Sequence, residues 1–161
     1  MGQRQVSGTR VIAAKPEEIF DLLTDPARHP ELDGSGTVVG NRKSSHQRLE
    51  LGSTFGMDMK IGASYKILNT VVEFEENRLI AWRHFHGHRW RWQLEPMEGG
   101  TKTKVTETFD WGPARWSWLF RFTPYPRVNR RNIEKTLDNL QDRFAERASS
   151  SGDEGDDGGS R

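Results

Sequence analysis

The chain has 161 residues, 33% of them hydrophobic and 29% charged, with a net charge of +1 and no cysteine. The absence of thiols excludes disulfides, cysteine-ligated zinc, iron–sulfur clusters and a thiol nucleophile, while the length suits one domain with its own core. No apolar run reaches membrane-spanning length, and Met1-Gly2-Gln3-Arg4-Gln5-Val6 has neither a signal-peptide core nor a myristoylation pattern, so a cytoplasmic location is expected.

Val6 to Ala14, rich in β-branched residues, suits a first strand. Lys15-Pro16-Glu17-Glu18 then places a proline and two acids in a first helical turn, and Ile19, Phe20, Leu22 and Leu23 give that helix an apolar stripe. Thr24-Asp25-Pro26 stops it and caps a second short helix, Ala27 to Leu32, which ends at Asp33-Gly34-Ser35-Gly36. Thr37–Asn41 reads as a strand, Arg42–Gln47 as a loop, Leu51–Ile61 as an alternating strand and Tyr65–Glu75 as another.

The stretch from Arg78 to Trp111 is the most informative. Arg89 to Glu95 alternates so that Trp90, Trp92 and Leu94 share one face, and after the turn Pro96-Met97-Glu98-Gly99-Gly100 the alternation resumes with Val105, Phe109 and Trp111. Residues 79–86 supply a further strand of ambiguous register. A three-residue loop at His86-Gly87-His88 puts Ile80, Trp82 and His84 with the tryptophans; a two-residue turn at Gly87-His88 puts Ala81, Arg83 and Phe85 there. The first is preferred because it buries Ile80 and Trp82 and leaves Arg83 in water. Pro124 and Pro126 are expected to break any helix in their segment, so the long terminal helix is placed at Arg127 to Arg147, with Ile133, Leu137, Leu140 and Phe144 forming one stripe. Four acids against one base lie between Ala148 and Arg161, and this Gly/Ser-rich acidic tail, 148–161, is expected to be disordered beside a domain of residues 1–147.

One strand, two short helices, six strands and a long helix imply an α+β architecture, in which a curved seven-stranded antiparallel sheet buries its apolar face by wrapping around the terminal helix. Three segments, KPEEIFDLLTDPARHPEL, RWQLEPMEGGTKTKVTETFDW and IEKTLDNLQDRF, resemble the helix-grip superfamily of START, Bet v 1 and polyketide cyclase/dehydrase-like proteins (SRPBCC). The resemblance covers residues 5–147. Leu32 departs from it, since relatives often carry a tryptophan after the His-Pro-Glu of the second helix.

The resemblance implies a cavity between sheet and terminal helix that takes a small lipophilic or aromatic ligand. Inward positions for such a ligand are Phe55, Met57, Met59, Tyr65, Trp82, His84, Trp90, Trp92, Phe109 and Trp111, with Ile133, Leu137 and Leu140 as the opposite wall; the same side chains equally suit a filled core. Glu107 falls on the inner face between Val105 and Phe109. A buried carboxylate needs a partner or a raised pKa, so Glu107 is a candidate polar anchor, catalytic acid or base, or salt-bridge member with Arg83 or His84.

His84, His86 and His88 place imidazoles at strand spacing, but no carboxylate or cysteine completes a metal set, and neither a metal nor a cofactor is expected. Arg83, Arg89, Arg91, Lys102 and Lys104 share the outer face without interleaved aromatics, which argues against a nucleic-acid partner. Arg115 to Phe122 is too apolar for an ordinary loop, and suits a lid, a transient membrane-surface contact or a dimer contact. Binding or transport of a small hydrophobic or aromatic molecule by a monomer or weak dimer is the leading reading. A polyketide cyclase/aromatase- or dehydrase-like enzyme and a regulatory interaction module are the alternatives.

Overall fold

A computed structural model describes residues 4–40, 48–61, 63–84, 86–114 and 117–152. β1 (Gln5–Ile12) leads into α1 (Pro16–Leu23), whose first turn holds Pro16 and is closed by the Lys15 N–H donating to the Glu18 carboxylate at 3.0 Å. The Asp25 carboxylate accepts from the Ala27 N–H at 3.0 Å, capping a 3-10 turn that runs into α2 (His29–Leu32). There follow β2 (Val38–Gly40), β3 (Thr54–Ile61), β4 (Ala63–Glu75), β5 (Leu79–His84), β6 (Arg89–Met97), β7 (Lys102–Asp110) and the terminal helix α3 (Tyr125–Gly152). The expected loop at Arg42–Gln47 lies outside the described residues.

The strands form one curved, wholly antiparallel sheet in the order β1-β7-β6-β5-β4-β3-β2. β2 to β7 is a meander and β1 pairs with β7, so α1 and α2 carry the chain from one sheet edge to the other. Among the described residues no helix is long and apolar enough to cross a membrane.

Register partners Ile80–Trp92, Trp82–Trp90 and Trp90–Phe109 put these side chains on one face, as the alternation predicts. The loop itself falls one residue earlier than expected. The His84 N–H donates to the His88 carbonyl at 3.0 Å, so the turn lies between His84 and His88 rather than at 86–88. A three-residue hairpin loop favours a left-handed last residue, and Gly87, at φ 97°, is that residue. It also sits where a Cβ would lie 3.0 Å from the Pro113 carbonyl oxygen.

α3 is longer than its sequence suggested at both ends. Pro126 occupies the first turn, where a missing N–H breaks no bond, so it starts the helix instead of breaking it. At the other end the Ser149 and Ser150 hydroxyls donate to the Glu146 and Arg147 carbonyls at 2.7 and 3.0 Å. Residues 148–152, expected to belong to the tail, therefore continue the helix; 153–161 lie outside the described residues.

Two glycines let α3 approach. A Cβ on Gly8 of β1 would stand 2.7 Å from Ile133 Cγ2, and one on Gly34 would stand 2.5 Å from both the Asn132 oxygen and the Thr136 nitrogen of the helix backbone. The Gly34 N–H donates to the Thr136 hydroxyl at 2.9 Å, the Asn139 amide donates to the Leu32 carbonyl at 3.3 Å, and Arg10 reaches Asp138 at 2.8 Å and Glu134 at 3.0 Å. Ile133, Leu137 and Leu140 are fully buried and Phe144 nearly so. Because the atoms facing Gly34 are backbone, they cannot swing aside. Gly34→Ala is expected to cost about 1–3 kcal/mol, read as a lower urea midpoint at unchanged slope.

Candidate functional site

The inner face of the sheet divides along the strands. One end is aliphatic, where Ile12, Leu94 and Val105 meet α1 and the carboxyl half of α3. The other end is aromatic. Phe109 packs on Trp90 at 4.8 Å between ring centroids, on His88 at 5.2 Å, and on Trp111 and Tyr125 at 5.7 Å each. Trp82 meets Phe55 edge-on at 5.7 Å and stacks on His29 of α2 at 5.1 Å.

Of the residues expected to line this interior, Phe55, Trp82, His84, Trp92, Phe109, Trp111, Ile133 and Leu137 are buried. Met57 and Trp90 face inward yet stay only partly buried. Met59 and Tyr65 are register partners across β3 and β4, with side chains outside the described part. Two open hollows, of about 360 and 600 Å³, lie outside this interior: one on the outer face beside Arg83, His86 and Arg89, the other along α3 beside Ser35 and Arg131.

Glu107 sits in the middle, 4% exposed, with Gly8 and Trp92 as its register partners. Neither suggested ion-pair partner serves it. Arg83 is exposed on the outer face, and His84 lies in the row of His88, about 13 Å along the sheet at strand spacing. The Glu107 Oε2 is buried without a hydrogen-bond partner. Burial first, and then the negative charge of Asp33, push its pKa well above the ordinary carboxylate range, which favours the protonated, neutral form. Asp33 is held in place by the Ser35, Thr37 and Val38 N–H groups.

The three histidines form a stack at one end of β5 and β6. His84 lies 4.5 Å from His88 and 5.7 Å from His86, with near-parallel rings. Burial, with the adjacent imidazoles adding to it, lowers His84 to about 4 and His88 to about 3, so both are neutral. Among the described residues no group of three His, Asp or Glu side chains is placed to hold a metal ion. Four of the five outer-face cations are matched by acids: Arg89 and Arg91 hold Glu73 at 3.4 and 3.0 Å, Lys104 holds Glu95 at 3.3 Å and Lys102 holds Glu98 at 3.0 Å.

Sequence reasoning missed His29 and Asn129. His29 donates from Nε2 to the Leu23 carbonyl at 2.8 Å, which leaves Nδ1 as a bare acceptor inside the fold; burial lowers its pKa. Asn129 is 5% exposed, one turn before Ile133 on the buried stripe of α3, and its Nδ2 has no partner. The stripe could have revealed Asn129, because residue 129 is four before Ile133. A four-residue α2 carries no such periodicity for His29. Of the segment Arg115 to Phe122, Arg115 and Trp116 lie outside the described residues, while Ser117–Phe122 is a 3-10 turn with Trp118 57% and Phe122 80% exposed.

A curved antiparallel sheet gripping one long helix defines the helix-grip class. The chain belongs to the polyketide cyclase / dehydrase and lipid transport family, whose model matches residues 3–145. The uncharacterized protein Rv0088 of Mycobacterium tuberculosis is 41% identical over 149 residues, covering 89% of this chain and 66% of that protein's length. In fold, the chain is similar to a START superfamily protein from Mycobacterium smegmatis, at TM-score 0.62, 19% identity, and 88% and 97% of the two chains. It is also similar to a polyketide-cyclase-like protein from Corynebacterium glutamicum, at TM-score 0.59, 18% identity, and 90% and 94%.

A raised folded-state pKa at Glu107 fixes the sign of a pH dependence. Below about pH 4.5, where the unfolded carboxyl is also protonated, the fold suffers no penalty; above it only the unfolded chain ionises, and stability falls as pH climbs toward the folded value. Glu107→Gln is therefore expected to gain in melting temperature over the parent as pH rises from about 4.5 to about 8, with the two curves converging at low pH in a thermal-melt series.

Proposed function

We propose that this domain, acting in the cytoplasm, binds a small lipophilic or aromatic molecule between its sheet and α3, and carries or presents it without transforming it. The observation that carries the reading is the aromatic half of the inner face, where Trp90 and Met57 point inward but remain partly accessible. Soft, polarizable side chains at an opening suit a ligand held by shape. The Glu107 carboxyl favours anchoring over proton transfer, because its Oε2 has no hydrogen-bonded relay partner among the described residues and burial raises its pKa. Native mass spectrometry of freshly purified protein, followed by solvent extraction, tests the reading. A reproducible extra mass that leaves on extraction is expected; a bare mass, with tryptophan emission unmoved by aromatic and lipid probes, would sink it.

The same reading includes a transient membrane-surface contact around Trp118 and Phe122, continued into α3 by Tyr125 and Val128, which are 43% and 48% exposed. Residues 111–133 include five arginines and no acid, so this apolar patch carries the charge that an anionic bilayer attracts. The protein is expected to float with phosphatidylglycerol vesicles and not with phosphatidylcholine ones. Replacing Trp118 and Phe122 together by serine should weaken that binding about tenfold or more while leaving the melting temperature unchanged.

A further inference from the structure

On the outer face of the sheet, Arg83 of β5 and Arg89 of β6 are register partners, so two like charges stand directly across from one another. Such a pair is destabilising unless a counter-charge offsets it. Arg89 is offset in part by Glu73 at 3.4 Å, which Arg91 holds more closely at 3.0 Å, and the Arg89 Nε is buried without a hydrogen-bond partner. Arg83 is exposed and makes no ion pair among the described residues. Both arginines line the same open hollow of about 360 Å³. Leu68 and Thr70 join it from β4, and Pro113 joins it from beyond β7. Gly87 lets the hairpin between β5 and β6 close down on the Pro113 carbonyl, where a Cβ would be crowded. We propose that this hollow is a second binding site, on the opposite face of the sheet from the interior, and that it takes the phosphate group of a phosphate monoester.

The lining selects the ligand. Guanidinium groups donate as forks to sets of oxygens, and two forks with the Thr70 hydroxyl offer more donors than the two oxygens of a carboxylate can use. A phosphate monoester presents three terminal oxygens and about two negative charges, which suits two facing arginines better. Neighbouring acids do not fill the site. Glu73 is engaged as above, Asp110, the register partner of Arg89 on β7, accepts from the Gly112 N–H at 2.8 Å, and neither lines the hollow. Sites for small organic ligands begin at about 300 Å³, so a hollow of about 360 Å³ has room for an ester group, with Leu68 and Pro113 as its apolar surface. A soluble phosphate ester and a lipid headgroup such as that of phosphatidic acid present the same monoester chemistry.

The test titrates phenyl phosphate and benzoate, aromatic anions of similar shape, into full-length protein by calorimetry at low salt. Phenyl phosphate is expected to bind about tenfold tighter than benzoate, to weaken as salt rises, and to lose about tenfold in affinity in Arg83→Gln and in Arg89→Gln. Arg83→Gln removes one of two facing like charges, so it should melt no lower than the parent and report on binding from a folded state. Lys102→Gln, which removes an outer-face cation already held by Glu98, should leave the affinity unchanged. Flotation with phosphatidylcholine vesicles carrying phosphatidic acid or phosphatidylglycerol at matched surface charge separates the two sources. A preference for phosphatidic acid that Arg83→Gln abolishes identifies a lipid headgroup, and phenyl phosphate binding without that preference identifies a soluble ester. Benzoate binding as tightly as phenyl phosphate overturns the site, as does an affinity unmoved by Arg83→Gln, or the absence of both phenyl phosphate binding and a phosphatidic acid preference.

Discussion

Everything in this fold depends on how closely α3 can lie on β1. Gly8 and Gly34 have no side chains at the two places where the helix would otherwise be held off, and Arg10 of β1 clasps the helix through Asp138 and Glu134. Those surface ion pairs contribute little each; their effect is to fix orientation once the apolar contacts are made. Most of the stabilisation comes from burying Ile133, Leu137, Leu140 and Phe144 against the concave sheet, since each fully buried aliphatic or aromatic side chain contributes about 1.5–3 kcal/mol. A helix standing off by one methyl would forfeit part of each contact at once, because packing attraction falls steeply with distance.

The same approach explains the isolation of Glu107. Its register partner on one side is Gly8, which offers no side chain, and on the other is Trp92, whose Nε1 likewise has no hydrogen-bond partner. The glycine that admits the helix thus withholds a polar neighbour from the carboxyl. Asp33, brought near by the same loop that seats Gly34 on α3, adds a negative charge and drives the acid further toward its neutral form. The chemistry at the centre of the interior is in this sense a consequence of the packing geometry.

What could be read from the residues followed from strict period-two alternation. Trp90, Trp92 and Leu94, then Val105, Glu107 and Phe109, announce an inner face without any tertiary information, and the sheet places all six on it. Hairpin length was harder. Alternation fixes which face a residue points to but is blind to a shift of one residue in both strands, and only the left-handed Gly87 locates the turn. Helix ends escaped for a related reason: Pro126 breaks a helix interior and begins a helix equally well, and no local pattern separates the two. The stripe of α3 can place Asn129 in the interior, but nothing in a sequence places His29 there or shows that Asn129 Nδ2 and His29 Nδ1 go without partners.

An unpaired donor in an apolar interior changes the arithmetic of binding. When a ligand replaces water at an ordinary polar site, the protein gives up one hydrogen bond to make another, and the net gain is small. Here the indole nitrogen of Trp92 and the carboxyl oxygen of Glu107 are buried without partners, so a group that bonds to either would add its bond nearly whole. A hydrocarbon of the same shape would leave both groups as they were. Discrimination then arises from a penalty already present in the empty fold, which is how a site with a handful of polar atoms can be selective among ligands that are alike in size and greasiness.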